Sequence, residues 1–298
     1  MTFQEIYEAV MLAIGDAQYS RATEVKAVCN MIYLNEICQC DDLYPLFWLM
    51  ECDDSRTSKP PVTITGITKA TPPVVAAAAH GMVTGDLVTL YDVAGMTECN
   101  NRIFHFTKLT VDTGSLQDLS KAAIPGAGFT AYTSGGRMVH RGTLINDCAK
   151  VLMANWHGYN KGLEFIGPEE IEDDAAWMDK STSRPTRMMH RQVYTLDGDQ
   201  YDYLLWYQGA DAAYSMRLWY EKQVAALENE DDVPLLPAKF HSAIIAGAVM
   251  RLGVNAVQVE AGVIWPTIYK MSIDAIRTAN RRWWETQKPY ERSGPFLI

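Results

Sequence analysis

Val62-Thr63-Ile64-Thr65-Gly66-Ile67-Thr68 alternates apolar and polar side chains with a period of two. That is the pattern of a strand with one buried face. It opens a stretch, about Val62 to His140, that reads throughout as short strands broken by turns. Pro72-Pro73 interrupts the first run, and Val74 to Ala79 resumes extended structure. His80-Gly81, Thr84-Gly85-Asp86 and Gly95 supply turn residues. Leu87 to Leu90, Ile103 to Leu109 and Phe129 to Thr133 read as strands, and Gly135-Gly136 closes the unit. Strands this short at this spacing predict a small antiparallel barrel.

The flanks carry a different period. Phe3, Ile6, Tyr7, Val10, Met11 and Ile14 follow helical spacing, and Gly15-Asp16 stops them. A second helix is expected from Ser20, an N-cap residue type, through Val25, Val28, Cys29 and Ile32 to about Cys40. Near the other end, Leu236 to Leu252 predicts a helix with Phe240, Ile244 and Ala248 on one side. Its Ala243, Ala246 and Gly247 permit close packing. A last helix is expected from about Val263 to Gln287, with Ile264, Ile268, Met271 and Ala275 as its buried stripe and Pro289 ending it.

Between the insert and these helices the reading is mixed. Leu163 to Ile166 predicts a short strand and Pro168 to Met178 a short helix, its acids placed for the dipole. Val193 to Leu196, Tyr203 to Tyr207 and Tyr214 to Tyr220 predict a three-stranded meander with an aromatic face, Asp197-Gly198 turning its first corner. Tyr44 to Met50 is an aromatic cluster, either a core plug or a surface buried against a neighbouring subunit; Cys52 to Pro61 reads as a linker. The fold expected is α+β: a helical bundle (N-terminal hairpin plus two C-terminal helices) with a small antiparallel meander and an inserted β-barrel. Its parts are 1–60, the insert 61–140, 141–287 and a tail, 288–298.

Charge and composition narrow the function. The net charge of −10 divides into −6 for residues 1–60, 0 for 61–140 and −4 for 141–298. No segment is a basic patch of the kind that grips phosphates; an acidic wall instead suits a channel that repels DNA. No apolar run approaches the length of a membrane span, and the start shows no signal-like stretch, so folding in the cytoplasm with free thiols at all six cysteines is expected. Cys38-x-Cys40 is too tight for a zinc knuckle.

No catalytic constellation stands out. The histidines (His80, His105, His140, His157, His190, His241) lack metal-ligand spacing, and His80 and His241 read as structural. There is no nucleophile elbow and no phosphate loop; Gly126-x-Gly128 lacks a following helix. Asp173-Asp174 and Asp231-Asp232 read as solvated pairs. No catalytic, cofactor-binding or metal-binding residue is expected. Arg277, Arg281, Arg282, Trp283 and Trp284, with Lys270 and Lys288, form a basic aromatic cluster that either completes a helix C-terminus or anchors a partner.

Ser183-Arg184-Pro185-Thr186-Arg187, Tyr214-Ser215-Met216-Arg217-Leu218-Trp219-Tyr220 and Leu236-Pro237-Ala238-Lys239-Phe240-His241 resemble the head-to-tail adaptor (neck, connector) proteins of tailed bacteriophages. In that family an aromatic Trp-Tyr strand precedes an acidic loop and a Leu-Pro-led helix. The N-terminal hairpin also looks like theirs, so the resemblance covers the flanks. Separately, Ile64-Thr65-Gly66-Ile67, Ala79-His80-Gly81, Thr84-Gly85-Asp86, Gly95-Met96-Thr97, Asn100-Asn101-Arg102 and Tyr132-Thr133-Ser134-Gly135-Gly136 resemble the FCCH domain, a small β-barrel of ubiquitin-activating enzymes. It is expected here as an accessory module without ubiquitin chemistry.

The adaptor resemblance implies a homo-oligomeric ring, usually of twelve copies. The ring docks on the portal protein, extends the channel for double-stranded DNA and receives a tail tube or nozzle protein, in the virion and without a membrane. The portal-docking segment would be the tail, with Pro289, Tyr290, Arg292, Phe296, Leu297 and Ile298, and the barrel would project outward. Two other readings stay open: a tail or baseplate component whose barrel binds a host-surface glycan or protein, and an enzyme using His157 or His241.

Overall fold

A computed structural model describes residues 1–16, 18–41, 44–159, 161–167, 181–195, 197–253 and 261–287. The expected helix at Pro168–Met178, the pair Asp173-Asp174 and the docking residues Pro289, Tyr290, Arg292, Phe296, Leu297 and Ile298 lie outside them. The architecture is α+β, with more strands than helices among the described residues. The chain divides into two compact units, Met1–Glu51 with Glu221–Ile298, and Cys52–Tyr220. The second takes in the 61–140 segment together with the strands that follow it.

The first unit is helical. Helix α1 (Phe3–Ile14) starts with a capping box: Thr2 Oγ1 accepts from the Glu5 amide at 3.3 Å and the Glu5 carboxylate accepts from the Thr2 amide at 2.9 Å. It stops at Gly15, whose φ of +78° suits the left-handed cap. All six apolar positions of the expected stripe are buried. Helix α2 (Ala22–Met31) continues as a π-helical turn, Ile32–Ile37. Its entry differs from the expected Ser20 cap. Asp16 accepts from the Ser20 and Arg21 amides, at 3.2 and 2.8 Å, and takes the Ser20 hydroxyl as well. The cap falls one residue later, at Arg21, with no side-chain cap bond, while the Ser20 hydroxyl is spent on Asp16.

Helix α3 (His241–Leu252) follows a 3-10 turn, and helix α4 (Ala261–Gln287) runs for 27 residues. Phe240, Ile244 and Ala248 join the same core as α1 and α2. A Cβ on Gly247 would lie 2.7 Å from Ile32 and 2.9 Å from Tyr269, so only glycine admits this approach between elements. Asn30 locks the returning chain with two bonds, donating to Leu227 O at 2.9 Å and accepting from its amide at 2.8 Å.

The second unit is built of strands: β1 (Met50–Thr57, leading in from the helical unit), β2 (Val62–Thr63), β3 (Gly66–Ile67), β4 (Val74–Ala76), β5 (Asp86–Tyr91), β6 (Ile103–Lys108), β7 (Thr113–Gln117), β8 (Arg137–Ile145), β9 (Cys148–Trp156), β10 (Glu164–Phe165), β11 (Arg187–Tyr194), β12 (Gln200–Trp206) and β13 (Ser215–Lys222, leading back). Ten of them form one sheet in the order β10-β11-β12-β8-β5-β6-β7-β4-β3, with β2 on β8. The other sheet is β1-β13-β9. Strand β5 is buried along its whole length, as expected of a strand covered on both faces.

Several expectations are corrected. The strand ladder forms no closed barrel; it continues from the insert through β8 into β12 and β11. The helical bundle is one part of a chain whose larger unit is sheet. Cys52–Pro61 is no linker, because Cys52–Thr57 continues β1 as an edge strand, where polar side chains remain partly exposed. Phe129–Thr133 is not a strand: it follows a 3-10 turn, and Phe129 and Tyr132 cover the core from a loop. The meander is not three-stranded, since β13 pairs with β1 and β9 while β12 pairs with β11 and β8.

Candidate functional site

The expected interface cluster sits on α4, and the structure divides it. Trp284 is buried: its indole donates to Pro45 O at 2.9 Å and its ring stacks on Tyr44 at 5.8 Å. Trp283 stacks on Phe47, with ring centres 5.5 Å apart and planes 16° apart. Arg277 Nε donates to Cys40 O at 2.7 Å, three residues past the end of the π-helical segment. Asn280 between them is fully buried, donates to Asp41 and Tyr44, and accepts from the Phe47 amide at 3.0 Å. Arg281 and Arg282 remain exposed. The aromatic run at 44–48 and the end of α4 therefore complete each other within the helical unit.

The expected buried stripe of α4 is corrected. Ile264, Ile268 and Met271 are 54, 37 and 67 % exposed, and Ala275 is exposed with them. The face turned inward carries Trp265, Tyr269, Ile273, Ile276 and Asn280. Aromatic rings bury more area than aliphatic side chains, and this face also satisfies its polar tips. Tyr269 donates to Glu36 at 2.6 Å, and Arg251 pairs with the same carboxylate at 2.6 Å. Beside the exposed stripe lies a groove of about 310 Å³, lined by Lys239, Phe240, Ser242, Ile268, Met271 and Ala275 among others.

The second unit holds a buried polar cluster that no local spacing announced. Asp86, from the Thr84-Gly85-Asp86 turn, takes Lys59 Nζ at 2.5 Å and the Val83 amide at 2.8 Å. Its other oxygen faces His140 Nε2 at 3.3 Å. The Lys59 amide donates to His140 Nδ1 at 3.1 Å, so the neutral ring carries its proton on Nε2, towards Asp86. Burial opposes ionisation of Asp86, but His140 and then Lys59 outweigh it and hold its pKa below the ordinary value. Burial lowers the His140 pKa, against the pull of Asp86. A neighbouring cleft of about 400 Å³ is lined by Arg56, Lys59, Asp86 and Trp206 among others. Each cation there already has its carboxylate, Arg56 that of Asp53 at 2.7 Å. This is the chemistry of a structural lock.

Acid should weaken this unit. His140 and His105 both have pKa values depressed chiefly by burial. Below about pH 6.5 the unfolded chain takes up the protons that these rings refuse, so stability falls as pH falls through that range. Asp86 acts only at lower pH, its contribution being lost below about pH 4. Thermal melting should therefore be lower at pH 5.5 than at pH 7.5, and His140→Gln should narrow the gap. Equal wild-type melting at both values would contradict this.

The other singled-out groups are structural. His80 accepts from the Met82 amide at 3.0 Å inside its turn, and His241 donates to Leu236 O at 2.8 Å. His157 is exposed opposite Asp54 at 3.6 Å. Burial pushes the Cys29 and Cys38 thiols up to about 12, which keeps them protonated and unreactive at neutral pH. Among the described residues no three His, Cys, Asp or Glu side chains converge as for a metal ion, and no helix is long and apolar enough to cross a membrane. Compared with protein-family models and with curated proteins, the chain matches none.

Proposed function

We propose that this chain is a structural virion protein, a ring-forming adaptor between a phage head and its tail. Copies associate side by side around a hollow axis, twelve in the arrangement that the resemblance implies. The ring docks on the portal, extends the DNA channel and presents the surface to which a tail tube or nozzle protein attaches. The observation that carries this reading is the apolar stripe Ile264, Ile268, Met271 and Ala275, left exposed on a helix whose opposite face packs on the core. An exposed row of large aliphatic side chains marks an association surface.

Other features support it. Of the segments that carry the resemblance, the N-terminal hairpin and Leu236–His241 share one core, while Met216, Leu218 and Tyr220 belong to a core of the strand unit. The charge of −10 suits a channel wall that lets DNA slide. At the finer level the fold is read as a helical-bundle adaptor core carrying a barrel-like module. The module is supported by the run Val62 to Ile67, which pairs with β8 through Val62 and Met138 and with β4 through Ile67 and Val75. Assembly would take place in the host cytoplasm, with residues 288–298 reaching the portal, and no catalytic role is proposed.

The glycan-binding alternative has less support. Tail-fibre proteins usually show long β-repeats, and this sequence has none. Virions assembled without this protein should leak their packaged genome and lack tails. Particles that retain DNA and attach tails normally without it would overturn the proposal.

A further inference from the structure

The helical unit offers two exposed surfaces that differ in charge and share apolar content. The first is the α4 stripe with its groove. Its positions 264, 268, 271 and 275 are spaced by four, three and four. That is the narrow seam by which one helix packs on another element, not the broad face that a helix turns to its own core. Lys239 stands at the groove, and Lys270 is exposed on α4. Over 261–287, α4 holds four basic and two acidic side chains, giving +2.

The second surface lies on α1. Leu12 is 79 % exposed, the highest value among the large apolar side chains described. Glu8 and Glu5 lie one and two turns before it on the same face. Residues 1–41 hold six acidic and two basic side chains, giving −4. Both α1 and α4 pack on α3, so one subunit presents the two surfaces on separate helices.

We infer that these surfaces are the two halves of one contact between copies of this chain. Leu12 of one copy seats in the groove lined by Phe240, Ile268, Met271 and Ala275 of the next, and Glu8 and Glu5 face Lys239 and Lys270 across it. The inference rests on the ring reading above and names its interface. The α1 face suits the stripe better than a second stripe does, because Glu8 and Glu5 can answer Lys239 and Lys270. Because the halves differ, the contact is heterologous: every added copy leaves one free half at each end, until rotation closes the ring.

The test is native mass spectrometry and sedimentation of the full chain, of Met271→Asp and of Leu12→Asp, with circular dichroism to verify folding. Both residues are exposed, so both variants should melt as the wild type does. The wild type is expected to associate beyond the dimer. Each variant alone should associate at least about tenfold more weakly. An equimolar mixture should give a heterodimer and nothing larger, because each variant retains one intact half.

Full assembly by either variant, a mixture without heterodimer, or a wild type that stays monomeric at the highest concentration it tolerates would overturn the contact. Mixing with the portal separates this failure from that of the ring reading. Rings of Met271→Asp on the portal would overturn the contact and leave the ring standing. A wild type that ignores the portal while the two variants still form their heterodimer would leave the contact standing and overturn the adaptor role.

Discussion

Asp86→Ala should destabilise the sheet unit by about 3–5 kcal/mol, the cost of stripping one partner from a buried ion pair. The carboxylate is 2 % exposed and accepts from Lys59 at 2.5 Å and from the Val83 amide at 2.8 Å. Removing it leaves the Lys59 ammonium, only 17 % exposed, without its countercharge. It also frees the turn at Val83-Thr84-Gly85 and takes away the carboxylate that His140 Nε2 faces at 3.3 Å. For a unit of this length each kcal/mol shifts melting by about 2–4 °C, so a fall of about 10 °C is expected. The double variant Lys59→Met with Asp86→Leu should fall less than Asp86→Leu alone, because no charge is then stranded. A single variant that melts within about 2 °C of the wild type, below the shift expected for 1 kcal/mol, would show that the cluster is solvated rather than buried.

Trp284→Ala should cost the helical unit about 3 kcal/mol, the lower end of the range for a large aromatic because the ring retains slight exposure. The loss combines the stack on Tyr44, the edge contact with Trp283 at 5.1 Å and the indole bond to Pro45 O at 2.9 Å. Arg281→Ala and Arg282→Ala, at exposed positions, should leave melting within about 0.5 kcal/mol of the wild type. This contrast separates the two readings of the basic aromatic cluster. If Trp284 were an anchor for a partner, its variant would melt as the wild type does and fail only in assembly.

How far the sequence could be read depended on what each signal reports. Positions 3, 6, 7, 10, 11 and 14 share one stripe with no rival, and all are buried in α1. Whereas α3 begins at His241, after a 3-10 turn at Ala238–Phe240, and not at Leu236 as expected, its end at Leu252 and both ends of α4 were nearly as legible. The phase of α4 was not, because it carries two apolar stripes about one residue apart. Periodicity finds both and does not say which faces inward. Tyr269 and Asn280, which need buried partners on Glu36 and near Asp41, held the answer. Strands β5, β6 and β12 follow from their β-branched and aromatic runs; β11 does not, since Arg187–Gln192 carries no such run and a strand was expected only from Val193, and β13 was placed beside β12 because neighbours in sequence usually pair. Its true partners, β1 and β9, were hidden by polarity: an edge strand such as Met50–Thr57 reads as a linker. Lys59, Asp86 and His140 meet only through the fold, so no spacing could reveal them.

The central claim is self-association around a hollow axis on the portal. Cryo-electron microscopy of the purified protein mixed with its portal tests it most directly. The account predicts a closed ring of identical subunits, coaxial with the portal and open at its centre, with the α4 stripe buried between neighbours. Portals left bare, or decorated by scattered single copies without mutual contact, would contradict it.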